Sequence, residues 1–243
     1  MERSEQLRGR LLQLNIHIEQ VCAQSDRDPR DLTVVVVTKT WPASDIRRLA
    51  DLGVVDVGEN KAQELASKAA ECEGLNLRWH FIGQLQTNKA AIVARAADCV
   101  HSVDRARLVT ALAKSAVDRP PERPLDCLIQ VSLDTDQDSG SDGGPDPSHR
   151  GGIAAAGCDD LASLIAAQPS LRLRGVMGVA PVGADAFLAF TRLKQLSDHV
   201  VSTYPDATWM SAGMSGDLDD AIRAGATHLR VGSAILGDRP YLR

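Results

Sequence analysis

A single (β/α)8 TIM barrel with an additional N-terminal helix is the fold class that this sequence predicts. Three observations predict it. Eight short strand-like segments alternate with helix-like ones between residues 33 and 231. The length, 243 residues, is close to the about 250 of a typical barrel. No GxGxxG turn follows the first strand, which argues against a doubly wound open sheet, the competing arrangement.

Leu7, Leu11, Leu14, Ile18 and Val21 recur at helical spacing over residues 3–24, so an amphipathic helix precedes the first strand and covers one face. That strand is Thr33-Val34-Val35-Val36-Val37, an unbroken β-branched run of the kind buried on both faces, and Pro42 prevents its continuation. A helix over 43–52 carries Ser44 and Asp45 near its start and stops at Gly53. The second strand (54–58) precedes a helix over 59–72. The third (78–82) precedes one over 87–96, and the fourth (98–102) one over 104–117. Three prolines make 119–124 a loop. The fifth strand covers 125–133 and the next helix 154–168. The sixth strand (171–176) is followed by a long helix, 184–204. The seventh strand (207–210) leads to a helix over 217–224 that ends at Gly225, and the eighth strand is 227–231. About a dozen residues remain, enough for one short helix and no second domain, so 1–243 reads as one domain.

Residues 134–152 break the pattern with five aspartates, Gly143-Gly144, two prolines and no large apolar side chain, and are expected to form a mobile surface insertion. Asp134, Asp136 and Asp138 lack the glycine and glutamate that a calcium loop needs at its sixth and twelfth positions. A hydrophobic content of 44% supports a full core, and a net charge of -5 argues against a nucleic-acid partner. Five scattered cysteines without a CxxC pair favour neither a zinc site nor a disulfide framework, which fits a reducing cytoplasm. No apolar run approaches the ~20 residues of a membrane span. Glu2 and Glu5 interrupt the N-terminal arginines, and no apolar core follows, so no targeting peptide is expected.

Lys39 closes the first strand. A cation at the mouth of a dry strand needs a partner or a task. The functional reading is a Schiff base with an aldehyde ligand, because desolvation makes an amine more reactive; the alternative is a lysine that snorkels to solvent. Barrels commonly hold phosphate after strands seven and eight. Here those loops read Ser211-Ala212-Gly213-Met214-Ser215-Gly216-Asp217 and Arg230-Val231-Gly232-Ser233-Ala234. Both offer small residues and lead into a helix N-terminus, where N–H groups favour an anion. In a closed barrel strand one neighbours strand eight, so amine and cradle share one mouth. The implied ligand has an aldehyde at one end and a phosphate at the other. Arg230, if it points into the mouth, faces a heteroaromatic nitrogen and keeps it unprotonated by charge repulsion; otherwise it pairs with a rim carboxylate. His80 and His101, at or near strand ends, read as hydrogen-bonded structural histidines, and Cys99 as core.

These stretches, together with Thr38-Lys39-Thr40, Gly58-Glu59-Asn60, the run from His80 to Lys89 (HFIGQLQTNK), His101-Ser102-Val103-Asp104 and Gly175-Val176-Met177, resemble the pyridoxal phosphate homeostasis proteins. Those are single-domain relatives of the alanine-racemase-like, fold-type III barrel. The resemblance runs in order along nearly the whole chain. It implies that Lys39 holds pyridoxal 5'-phosphate (PLP). It also implies that Ser211, Gly213, Met214, Ser215, Gly232 and Ser233 surround the phosphate, that Arg230 lies near the pyridine nitrogen, and that Asn60 lines the pocket. The implied role is intracellular PLP (vitamin B6) homeostasis without established turnover; PLP-dependent apo-enzymes are the candidate partners, and the lack of a second domain points to a monomer. The chain departs from the family at Lys61, where an aromatic residue is common, at Val176, and after strand five, where the Asp-rich stretch and His149-Arg150-Gly151-Gly152 replace a Lys-Ser-Gly-like segment. Two other readings remain at this point: a PLP-dependent amino-acid racemase acting with Lys39 alone, and a Schiff-base aldolase on a phosphorylated sugar. The only tyrosines, Tyr204 and Tyr241, lie away from these motifs, so the catalytic tyrosine of the two-domain racemases has no counterpart in them.

Overall fold

In the computed structural model, which describes residues 2–134 and 151–237, eight parallel strands close into a barrel in the order β1 to β8. The strands are β1 (Thr33–Val37), β2 (Asp56–Glu59), β3 (Arg78–Phe81), β4 (Cys99–Val103), β5 (Leu125–Gln130), β6 (Leu171–Met177), β7 (Trp209–Ser211) and β8 (His228–Val231). Closure is direct: Thr33 through Val36 pair in register with His228 through Val231. The expected insertion at 134–152 falls largely on residues 135–150, outside the described residues. Its two stems meet, since Ile153 N–H donates to Gln130 O (2.8 Å) and Ser132 N–H to Ile153 O (2.9 Å).

The helices are α1 (Arg3–Gln24), α2 (Ala43–Asp51), α3 (Ala62–Glu71), α4 (Ala90–Ala96), α5 (Ala106–Ser115), α6 (Cys158–Ala166), α7 (Ala186–Thr203), α8 (Leu218–Ala224) and α9 (Ser233–Leu236). Helix α1 buries Leu7, Leu14, Ile18 and Val21 of the stripe its periodicity predicts, leaves Leu11 half-buried, and packs against α2, α8 and α9. It therefore covers the seam where the first and last strands meet. Arg3 ties it to Asp45 of α2 (2.8 Å) and to the Leu236 carbonyl of α9 (3.1 Å).

Several boundaries differ from the sequence reading, each for a local reason. Residues 59–61 are not helical: Glu59 ends β2 and Asn60 faces a cavity, so α3 starts at Ala62. The helices expected from 87 and 154 each begin with a 3-10 turn, Thr87–Lys89 and Ala155–Gly157. Ser211, expected in a loop, is the last residue of β7. Strand β6 carries a bulge opposite Cys127 and Leu128, where Gly175 adopts φ +142°.

Two kinds of core result. The larger lies between strands and helices and contains Val36, Val57, Phe81, Val100, Ile129, Val231 and the buried faces of the helices. A smaller cluster, Cys99, Leu128 and Met177 with Val179 and Trp209 against it, shares the barrel interior with polar groups. Barrels usually fill that space with branched aliphatic side chains. Here His80, His101, Ser211, His228 and Arg230 are all buried within it.

Candidate functional site

Seven of the residues singled out from the sequence line one cavity of about 570 Å³ at the C-terminal mouth: Lys39, Asn60, Met214, Ser215, Arg230, Gly232 and Ser233. Val37, Trp41, Ile82, Gln84, Gln130 and Met177 complete much of its wall. Lys39 follows β1 and Ser233 follows β8, and the pairing of those strands brings them to the same mouth. The two turns expected to cradle an anion touch: Ser233 Oγ donates to Ser215 Oγ at 3.2 Å. Gly232 allows close approach, since a Cβ there would lie 3.3 Å from Val37 O.

Ser211 and Gly213 are not on the cavity wall. A Cβ on Gly213 would meet Ala221 Cβ at 2.5 Å, so this glycine lets α8 sit close behind the loop. The Met214 N–H is engaged by Asp217 Oδ1 (2.6 Å), which shapes the turn. The helix-dipole part of the sequence argument is small here, because α8 begins three residues after Ser215 and α9 is a single turn.

Ser211 belongs instead to a hydrogen-bonded chain along the barrel interior. Arg230 Nη1 donates to Ser211 Oγ (2.7 Å) and Nη2 to the Gly178 carbonyl (3.0 Å). Ser211 Oγ meets His101 Nδ1 (2.9 Å), His101 Nε2 meets His80 Nδ1 (2.8 Å), and His80 Nε2 meets Asp56 Oδ1 (2.8 Å). A guanidinium only donates and a carboxylate only accepts. With both rings neutral, one arrangement satisfies every contact: each histidine carries its proton on Nε2, and the serine hydroxyl donates to His101. Burial alone would raise the Asp56 carboxyl, but the His80 hydrogen bond, with the charge of Arg78, holds it below its usual value. Burial pushes Arg230 down to about 10, so it stays charged at neutral pH. Among the described residues no carboxylate forms an ion pair with it. The rim-carboxylate alternative is thereby replaced by a serine and a carbonyl.

His80 and His101 are thus hydrogen-bonded structural groups, as the sequence suggested, but inside the barrel rather than at its mouth. The sequence reading missed Ser211 as their partner, 110 residues from His101, and it missed Asp56 and His228. A usable signal was present: His228 and Arg230 are two apart in β8, so they share a face. Cys99 Sγ and nitrogens of the two rings lie within 4.8 Å of one another, a spacing seen around metals. The rings are already bonded to each other, and burial holds the thiol well above its usual value, so the neutral group is a poor ligand.

The interior sets a pH dependence. Burial holds His101 well below its usual value and lowers His228 to about 3. On unfolding, both rings regain an ordinary value near 6.5 and take up protons that the folded state refuses, so stability falls as pH drops below 6.5, down to the folded values. Between pH 7 and pH 5.5 the two rings are expected to cost about 2–3 kcal/mol together. Urea unfolding at the two pH values checks this, and equal midpoints would show that the rings are not buried neutral.

Known proteins resemble this chain over nearly its whole length. Residues 23–240 match the family description "Alanine racemase, N-terminal domain". A pyridoxal phosphate homeostasis protein of Mycobacterium bovis is 36% identical over 98% of this chain and 95% of its own length. One from Escherichia coli K12 is 36% identical over 95% of this chain and 96% of its own. The structure of PipY from Synechococcus elongatus, solved with PLP bound, superposes with a TM-score of 0.70 at 29% identity, covering 90% of this chain and 99% of that one.

Proposed function

Because the chain belongs to the alanine racemase N-terminal domain family, and within it to the pyridoxal phosphate homeostasis proteins, we propose that it binds PLP at this cavity and takes part in PLP homeostasis. One observation carries the reading: an amine, a guanidinium and two touching serine turns line the same cavity. That donor set fits a molecule with an aldehyde, a heteroaromatic nitrogen and a phosphate. When bound, such a cofactor supplies an aldehyde that condenses with a lysine amine, with loss of water.

The roles proposed for this chain's residues follow from their chemistry. Lys39 is the attaching amine. Ser215 and Ser233 offer hydroxyl groups to the phosphate, and Gly232 leaves room for it. Arg230, held from behind by Ser211 and Gly178, presents a fixed positive charge that disfavours protonation of a nitrogen facing it. Asn60 offers an amide at the wall.

Storage and delivery rather than turnover is part of the same proposal, and the names of the relatives support it. So are action as a monomer, delivery to PLP-dependent apo-enzymes and residence in the cytoplasm. Among the described residues no helix is long and apolar enough to cross a membrane.

Borohydride reduction of the PLP-loaded protein followed by peptide mapping tests the assignment. The label is expected on Lys39, and Lys39→Ala is expected to abolish both the label and the visible absorption band of the loaded protein. A band that survives that substitution overturns the lysine assignment. Racemisation of amino acids at about 1 per second or faster would overturn the non-catalytic role.

A further inference from the structure

Behind Lys39 lies a buried charged cluster that the proposed function does not use. Lys68 of α3 is buried, and its ammonium directs its three donors at three oxygens: Thr38 O (2.8 Å), Glu59 Oε1 (2.7 Å) and Glu64 Oε1 (2.7 Å). Glu59 Oε1 also accepts from Thr38 Oγ1 (2.6 Å), and Glu64 Oε1 from the Thr40 N–H (2.6 Å). The residues on both sides of Lys39 are therefore fastened to one set of side chains.

The backbone that they fasten is unusual. Trp41 N–H donates to Thr38 O (3.0 Å), so residues 38–41 form a turn with Lys39 at its second position and Thr40 at its third. Thr40 has φ +70°. A turn with positive φ at the third position favours glycine, and a β-branched residue there is strained by about 1–3 kcal/mol. Such strain persists only where the surroundings over-determine it. Glycine at 40 would relieve it locally; the chain instead carries threonine and a buried ammonium with two carboxylates.

We infer that Lys68 and Glu64, both on the outer helix α3, are positioning residues for Lys39: they clamp the Thr38–Trp41 turn and so direct the Lys39 amine toward the cavity. Neither residue is on the cavity wall. They act through the Thr38 carbonyl and the Thr40 N–H, which flank the lysine. The inference rests on the proposed role of Lys39 and adds what aims it. The bond-forming step is unchanged: the amine nitrogen bonds to the aldehyde carbon, and the carbonyl oxygen leaves as water.

The test uses the full chain and two probes, PLP and pyridoxine 5'-phosphate, which has an alcohol in place of the aldehyde. Glu64→Ala is expected to lower the equilibrium constant for covalent linkage at Lys39 about tenfold, or about 1.4 kcal/mol. Glu64→Gln keeps an oxygen for the Thr40 N–H and for Lys68, and is expected to stay within about twofold of wild type. Calorimetric affinity for pyridoxine 5'-phosphate is expected to stay within about twofold in both variants, because the clamp aims the amine and does not build the cavity. Adding Thr40→Gly to Glu64→Ala is expected to restore linkage, since glycine takes this φ without strain. The inference is overturned if Glu64→Ala links PLP as wild type does, if both probes weaken together, if the glutamine variant fails as the alanine one does, or if glycine does not restore linkage. Wild-type protein that binds PLP but carries no label at Lys39 overturns the lysine assignment itself, which separates the two failures.

Discussion

Replacing His101 with leucine, a side chain of similar volume, is expected to destabilise the barrel by about 3–5 kcal/mol. His101 is fully buried and joins Ser211 to His80. Leucine fills much of the space but accepts nothing from the Ser211 hydroxyl and donates nothing to His80 Nδ1. Each buried group left without a partner costs about 1–3 kcal/mol. The damage reaches the cavity through one bond, because Ser211 is the group that receives Arg230 Nη1. Weaker PLP binding is therefore expected beside the lower stability. Urea unfolding with and without PLP measures both. A midpoint within about 1 kcal/mol of wild type would mean that the interior chain contributes nothing beyond packing.

Gly175→Ala is expected to cost more than about 4 kcal/mol or to prevent folding altogether. Two obstacles coincide at this bulge. The residue adopts φ +142°, and a Cβ would lie 1.9 Å from the Trp209 carbonyl oxygen, which belongs to the neighbouring strand. Relief requires β6 and β7 to separate, and Val176 with Met177 pairs there with Met210 and Ser211. Gly74 supplies the control. It has φ +85°, but nothing lies within 4 Å of its missing Cβ, so alanine there meets only the strain, about 1 kcal/mol. Denaturant unfolding of the two variants compares them. Equal losses would show that the contact with Trp209 relaxes without consequence.

The sequence carried the architecture well because strand and helix periods alternate without interruption over most of its length. Leu7, Leu11, Leu14, Ile18 and Val21 predict a buried stripe; Leu11 is half-buried and the other four are buried. The mouth was legible for the same reason: once the strand order is known, the residues after β1, β7 and β8 must converge. What sequence reasoning could not supply is which way a polar side chain on a strand points. Ser211 read as part of an anion-binding loop, yet one residue of extra strand turns it inward to His101 and Arg230. Gly213 read as room for a ligand, and its missing Cβ makes room for Ala221. The Thr38–Trp41 turn was hidden because its strain falls on threonine, where no glycine marks it. The segment 135–150 and Tyr241 lie outside the described residues.

The direct pairing of β1 with β8 has a consequence for how this protein meets other molecules. A sheet rolled shut offers no exposed row of backbone amides and carbonyls onto which a foreign strand could dock. Among the described residues, recruitment by strand addition to the barrel is closed. A protein partner would instead grip the helical rind or the rim of loops, where side chains rather than main-chain ladders carry recognition.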